Sequence, residues 1–304
     1  MTTNMKRMPD FIVIGAARAG TTALYSFLRQ SPDIFMPDVK EPNFFAYEGQ
    51  SLGCRGPGAD FINNSITDLD HYCALFEPAP NGAILGEASP LYLFEPRAPE
   101  RIHHHVPQAR LVVILRNPVE QAYSHFLYAT RLRIEPLDSF TLALEQENDR
   151  LAKGWQPLFG YSSFPKYAEQ LERYFALFPR EQILIRTYEE WSEKPEKTLS
   201  EILSFIGANP AVLPDLTNRL NAGGVPRNRV LQDFLMKPNP VTGLIGYIMP
   251  KTMRLRIRDW LSGFNTQRDA PMPVAARKIL HERLDGEIAR LESLIGRDLS
   301  HWRR

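Results

Sequence analysis

The residues with the clearest chemical content are Gly15-Ala16-Ala17-Arg18-Ala19-Gly20-Thr21-Thr22. Their frame is that of a phosphate-binding loop, G-x-x-x-x-G-K-[ST], with Thr21 where the lysine belongs. Two glycines let the backbone turn tightly, and a helix opening after Gly20 aims free N–H groups at an anion. The hydroxyls of Thr21 and Thr22 add donors. Further on, the apolar run Leu111 to Leu115 ends in a second cation, Arg116. A nucleoside triphosphatase needs the loop lysine on its β- and γ-phosphates and an acidic residue after another strand to help hold Mg²⁺. Here the loop lysine is missing, and a cation stands where the acidic residue would be wanted. Two fixed arginines, Arg18 and Arg116, instead suit a ligand with two separated anionic groups and no metal.

Other candidates have plainer readings. Alone, residues 15–22 also fit an ordinary strand–helix turn, and Arg116 beyond its own strand is what favours binding. Lys40-Glu41, read by itself, is a solvated charge pair on a loop, with Pro42 pushing Glu41 toward an extended backbone. Glu87 follows a short strand and fits either a second reactive carboxylate or one that hydrogen-bonds the loop backbone. His103, His104 and His105 are consecutive, so they cannot all converge from a regular element, and they read as a surface feature. His125 fits helix packing as well as it fits a ligand contact.

The elements that must position these residues follow from the apolar patterning. Residues 11–14 and 111–115 are short, wholly apolar runs, read as buried strands of a parallel sheet, and 83–85 and 182–185 read as further short strands. Between them, residues 22–30, 117–128, 167–178 and 199–206 carry apolar residues at helical spacing. Pro118 suits a first helical turn and Gly207 a helix end. Residues 274–295 read as one amphipathic helix, and 251–261 as another that packs its apolar side on the core. An anionic acceptor or a membrane surface is the alternative for that basic segment. Strands alternating with helices predict an α/β fold with a central parallel sheet flanked by helices, and ligands beyond the carboxyl ends of its strands. Residues 48–65, crowded with Gly, Pro, Asn and Ser, are expected to be the least structured part.

The 36 Lys and Arg against 35 Asp and Glu give a net charge of +1, which argues against nucleic-acid binding driven by overall charge. No stretch approaches the roughly 20 apolar residues of a membrane span. Peripheral membrane contact is not the expectation. Cys54 and Cys73 have no metal-ligand spacing and allow at most one disulfide. With no leader-like start, the expectation is a cytoplasmic protein in a reducing compartment.

The sequence resembles the sulfotransferase superfamily, above all its heparan-sulfate-type branch and bacterial members. The resemblance rests on FIVIGAARAGTTAL, KEPNFF from Lys40, GEASPLYL from Gly86, LVVILRNPVEQAYSHF from Leu111, YAEQLERY from Tyr167 and GVPRNR from Gly224. It runs from about residue 10 to 229. It implies a P-loop-containing three-layer fold in a single domain over 1–304, with a core at 10–229 and a C-terminal helical extension at 230–304. It further implies sulfuryl transfer from 3′-phosphoadenylyl sulfate, without a metal, to a hydroxyl or amine of a small-molecule, carbohydrate or lipid acceptor. The implied 5′-phosphosulfate site is Arg18, Ala19, Gly20, Thr21 and Thr22. Arg116 and Ser124 are implied for the 3′-phosphate, and Arg227 and Asn228 for a late loop over the nucleotide. Glu41 matches the catalytic base, with Lys40 orienting it or the acceptor. Two departures stand out: Arg18 where the family usually has lysine, and Ala88 where heparan-type enzymes carry lysine after the glutamate. The rival readings are a P-loop nucleotide kinase and a catalytically silent nucleotide-binding protein.

Overall fold

The computed structural model describes residues 6–213, 216, 225–226, 228, 231, 234, 253, 257, 260–261, 264–267 and 271–303. Five strands, β1 (Phe11–Gly15), β2 (Ile34–Phe35), β3 (Ile84–Ala88), β4 (Arg110–Leu115) and β5 (Ile183–Thr187), form one sheet in the order β2-β3-β1-β4-β5. Every pairing is parallel. Ile12 lies opposite Glu87 on one side and Leu111 on the other, so β1 is central. Its residues Phe11 to Ile14, and Leu111 to Leu115 of β4, are fully buried, which is why both read as unbroken apolar runs. Gly86 is needed where β3 passes β1, because a Cβ there would sit 2.1 Å from the Phe11 ring. Helices flank the sheet, giving the P-loop-containing three-layer α/β architecture.

The helix Thr21–Leu28 follows β1, Pro118–Arg131 follows β4, and Pro195–Ile206 follows the short helix Tyr188–Glu193 after β5. Pro118 lies in a first turn, with Asn117 capping it through Oδ1, which accepts from the Val119 N–H at 3.0 Å. Gly207 ends its helix at φ 88°, in the left-handed region. The C-terminal helix Val274–Ile295 spans two apolar clusters. Leu280 and Leu284 pack with Val119, Phe126, Phe140 and Tyr161, while Ile288 and Leu291 join the core of the sheet. Beyond it, buried Trp302 donates through Nε1 to Glu189, and its carbonyl accepts from Asn117 Nδ2 at 3.1 Å. The last turn thus buttresses the residue that follows Arg116.

Two expectations need correction, and one strand was not foreseen. Strand β2 is two residues long and carries no pattern to read. The segment 48–65 is ordered by side chains: Asn63 exchanges hydrogen bonds with the Cys54 backbone at 2.9 and 3.0 Å, and Gln156 Nε2 donates to the carbonyls of Pro57 and Gly58. It also holds the helix Asp60–Asn63. Finally, Met253, Ile257 and Trp260 occupy helical positions but are exposed, so these apolar residues do not pack on the core as the 251–261 pattern predicts, and Phe264 just beyond them is exposed too. Trp260 and Phe264 pack on each other instead, edge to face with ring centroids 4.7 Å apart. Cys54 and Cys73 are free thiols. No helix among the described residues is long and apolar enough to cross a membrane.

Candidate active site

Four chain segments meet beyond the carboxyl ends of the strands. The first is the loop between β1 and the helix Thr21–Leu28. Ala16 N–H donates to the Ile114 carbonyl of β4 at 2.8 Å, and Gln121 Nε2 donates to the Ala17 carbonyl at 3.1 Å. Arg116, just past β4, donates through Nη1 to the Arg18 carbonyl at 3.1 Å. The loop is therefore held from its outer side by β4 and its following helix. Gly20 caps the helix at φ 91°, and a Cβ there would meet the Trp191 indole at 2.7 Å, so only glycine fits. The first intrahelical bond runs from Leu24 N–H to the Gly20 carbonyl, which leaves the N–H groups of the first turn to face an anion. Thr22 is exposed there, whereas Thr21 is turned into the protein and buried.

Arg18 lies over the Tyr128 ring, 4.3 Å from guanidinium carbon to centroid, and Arg116 lies over Tyr188 at 4.7 Å. Arg18 Nε is buried without a hydrogen-bond partner. Burial pushes the Arg18 guanidinium down to about 10, helped by the like charges of Arg131 and Arg116 and opposed by Tyr128 and Glu41. It stays charged at neutral pH. A buried, unpaired donor on a charged group is costly unless something anionic arrives to meet it.

The Lys40-Glu41 segment reaches the site through its backbone. Glu41 N–H donates to the Ala88 carbonyl at the end of β3 at 3.2 Å, and Asn43 N–H donates to Ser89 Oγ at the same distance. These tethers hold Glu41 at φ 61°, left-handed rather than the extended backbone expected before Pro42. Arg18 also has a positive φ, 65°. Each such non-glycine residue costs on the order of 1–3 kcal/mol, and such costs concentrate at functional sites. The Glu41 side chain is 48% exposed and ion-paired to Lys40, and its field reaches Arg18 and Tyr128.

Glu87 is a different carboxylate. It is 1% exposed, and its oxygens accept from Tyr92 at 2.7 Å and from Tyr72 and Ser89 at 2.8 Å. Burial pushes it up to about 7, against the pull of those three hydroxyls and Lys40. His125 is likewise sealed in: burial, then the charge of Arg18, push its imidazole down to about 3, and it packs against Tyr161 and Phe164. It is a neutral packing residue. Of the three consecutive histidines, His103 and His104 are exposed, while His105 pairs with Glu48 at 2.7 Å.

Ser124 is part-exposed on the helix Pro118–Arg131, two turns past Arg116. It shares a helical face with Gln121, Tyr128 and Arg131, at spacings of three, seven and ten residues from Gln121. Tyr128 and Arg131 were not singled out from the sequence, although this spacing carried the signal. Asn228 is exposed, and its Oδ1 accepts from Leu231 N–H at 3.0 Å. Its backbone pairs with the Asn265 amide, with both bonds at 2.8 Å. This pair lies beside the antiparallel strands β6 (Val225–Pro226) and β7 (Thr266–Gln267), and β6 packs on the helix that carries Ser124. Arg227 falls outside the described residues. Among the described residues, no three His, Cys, Asp or Glu side chains converge on a point that could hold a metal ion.

Comparison with known proteins agrees with this geometry. The sulfotransferase domain family matches residues 8–222. The human heparan sulfate glucosamine 3-O-sulfotransferase 6 is 30% identical over 211 residues, covering 68% of this chain and 54% of that protein. The membrane-associated sulfotransferase kil1 of Dictyostelium discoideum is 23% identical over 306 residues, 75% of this chain and 62% of its own length. The chain thus spans a little over half of these curated relatives. A crystal structure of a sulfotransferase from Alicyclobacillus acidocaldarius superposes with a TM-score of 0.76 at 29% identity, covering 98% of this chain and all of that one. With the family matched across most of its length, the chain belongs to the sulfotransferase superfamily, among heparan-sulfate-type and bacterial relatives.

Proposed function

We propose that this protein transfers a sulfuryl group from 3′-phosphoadenylyl sulfate to an acceptor hydroxyl or amine. The observation that carries this reading is the convergence of Arg18 and Arg116, joined through the Arg18 carbonyl and each resting on a tyrosine rather than a carboxylate. Two unneutralised cations beyond adjacent strands fit a doubly anionic nucleotide. A kinase would want an acidic residue where Arg116 stands.

The donor, when bound, supplies the activated sulfuryl group. The first-turn N–H groups at Gly20, Thr21 and Thr22, the Ala19 backbone and the Arg18 guanidinium would hold its 5′-phosphosulfate end. They would stabilise charge as it builds on the leaving oxygen. Arg116 and the Ser124 hydroxyl would hold the 3′-phosphate, with the Arg227–Asn228 segment closing from the side of β6. Because the Asn228 Oδ1 accepts from Leu231 and its backbone is paired with the Asn265 amide, a contact to the nucleotide would fall to its side-chain Nδ2 donor. Glu41 is the group in place to take the acceptor proton. It is half-exposed beside Arg18, and Lys40 holds one of its oxygens. Glu87 is closed to an acceptor, since three hydroxyls occupy its oxygens. The names of the curated relatives specify carbohydrate amine and hydroxyl acceptors, but Ala88 departs from the heparan-type pattern, so the acceptor here is read only as a hydroxyl or amine.

Calorimetry decides the donor. Adenosine 3′,5′-bisphosphate should bind without divalent ions, and Arg116→Ala should weaken it about 10- to 100-fold, as expected for a charge-assisted contact. Tight binding of ATP with Mg²⁺ but not of the bisphosphate would overturn the reading in favour of a kinase. Radiolabelled sulfuryl donor offered with a panel of alcohols, sugars and amines then identifies the acceptor, and no transfer to any would leave a silent nucleotide-binding protein.

A further inference from the structure

Glu87 is closed to an acceptor, yet each of the three hydroxyls it holds leads to the segment that carries Glu41. Ser89 Oγ donates to one carboxylate oxygen at 2.8 Å and in turn accepts from the Asn43 N–H at 3.2 Å. Tyr92 donates to the other oxygen at 2.7 Å and accepts from the Phe45 N–H at 3.3 Å. Tyr72 donates to that same oxygen at 2.8 Å, and its ring is stacked on Phe44 with centroids 4.5 Å apart. Three consecutive residues, 43 to 45, are thus met by groups that Glu87 holds.

A hydroxyl has one proton. Ser89 and Tyr92 both give theirs to Glu87, so each turns oxygen lone pairs toward a backbone amide. Asn43 and Phe45 are buried, and an unmatched N–H there costs about 1–3 kcal/mol. The rest of the stretch is pinned from other sides. Glu41 N–H donates to the Ala88 carbonyl at 3.2 Å, and Ile66 N–H donates to the Pro42 carbonyl at 2.9 Å. Arg101 Nη1 donates to the carbonyls of Phe45 and Ala46 at 3.1 and 2.6 Å. Glu41 and Asn43 have φ of 61° and 53°, conformations that persist only where the surroundings over-determine them. The two amide bonds that Glu87 organises are part of that determination, directly beyond Glu41 in the chain.

Resting on the reading of Glu41 as the base, we infer that Glu87 is a positioning residue for the transfer: by orienting Ser89 and Tyr92 it fixes the backbone of 43–45, and so the place from which Glu41 meets the acceptor. Glu87 itself touches no reacting atom.

The test is a matched pair. Tyr72→Phe and Tyr92→Phe each remove one hydroxyl from the same Glu87 oxygen and keep a buried ring, but only the second frees an amide of the 43–45 stretch. Both are made in the full chain, with melting temperature and adenosine 3′,5′-bisphosphate binding measured on each. Transfer of radiolabelled sulfuryl group is followed to the best acceptor of the panel or, with none found, to water. Tyr92→Phe should lower kcat about 10-fold and Tyr72→Phe less than about 3-fold, since a slightly displaced carboxylate loses its alignment for proton transfer. Both should bind the bisphosphate within about 2-fold of wild type, because neither hydroxyl reaches the nucleotide loop. Glu87→Gln, which turns one acceptor into a donor, should behave as Tyr92→Phe does. In a Glu41→Gln background Tyr92→Phe should cost under about 2-fold, as no base is left to displace. Equal losses of kcat in the two phenylalanine variants, or none in either, would mean that the carboxylate serves the fold alone and would overturn the inference. So would the full loss repeated in the Glu41→Gln background. Should Tyr92→Phe fail to fold, Ser89→Ala takes its place, since it frees the Asn43 amide in the same way. If Glu41→Gln turns over like wild type, the base reading falls and takes the inference with it. No transfer even to water would remove the reaction that Glu87 serves.

Discussion

Glu87 is the penultimate residue of β3 and Glu41 is hydrogen-bonded to the last, Ala88, yet their surroundings are opposite. Glu87 is sealed, its two oxygens filled by Tyr72, Ser89 and Tyr92, and its proton is held to about pH 7. Glu41 hangs from the Ala88 carbonyl on a left-handed backbone, half in solvent, with one lysine for company. One carboxylate has the environment of a structural anchor and the other that of a reagent. The difference teaches that proximity to a strand end does not assign a role; accessibility and unfilled lone pairs do.

The contrast can be broken at either member. The largest effect belongs to Glu41→Gln, expected to lower turnover about 10²- to 10⁴-fold, the contribution of a general base, while adenosine 3′,5′-bisphosphate binds as before. Transfer of radiolabelled sulfuryl group measures it, and retained turnover would remove Glu41 from the role. Next comes Glu87→Ala, which strands three buried hydroxyls and should destabilise the fold by about 2–4 kcal/mol in denaturant unfolding.

A finer comparison uses pH. The folded Glu87 carboxyl titrates near 7 against 4.5 for the ordinary group, so the native state keeps a proton that the unfolded chain has already lost. Stability therefore falls as pH rises from about 4.5 through about 7, by on the order of a few kcal/mol, and Glu87→Gln should flatten that slope in unfolding curves taken across the interval. Equal slopes in the two proteins would show that the carboxylate is ionised throughout. The smallest effect on stability is that of Glu41→Gly. Relief of the positive φ should leave the protein as stable as wild type or up to about 1 kcal/mol more so, with transfer lost. A lower melting temperature would mean that the turn is not strained.

How much of this was legible varies with the range of the interactions. The loop frame at 15–22, Arg116 at the end of its strand and the C-terminal helix Val274–Ile295 are written in contiguous residues, and the structure places them as read. The saturation of Glu87 was not legible, because Tyr72 arrives from a helix fifteen residues upstream. The backbone of Glu41 was misread because the rule for residues before proline is local, whereas the bond to Ala88 is not. Tyr128 and Arg131 sat in plain periodicity with Ser124, but nothing in a single helix says which loop it will face. The exposure of Met253, Ile257, Trp260 and Phe264 shows the converse limit: amphipathic spacing fixes a stripe without saying what it meets.

Gln121, Ser124, Tyr128 and Arg131 belong to one unbroken rod, and from Ser124 to Arg131 that rod advances about 10 Å. In the proposed nucleotide site, contacts at the two ends of the bound molecule would be graduated on the same rigid rule. A residue inserted between them would swing the far end by about 100° and disengage it from the near one, so the helix would act as a gauge of ligand length with no adjustable setting.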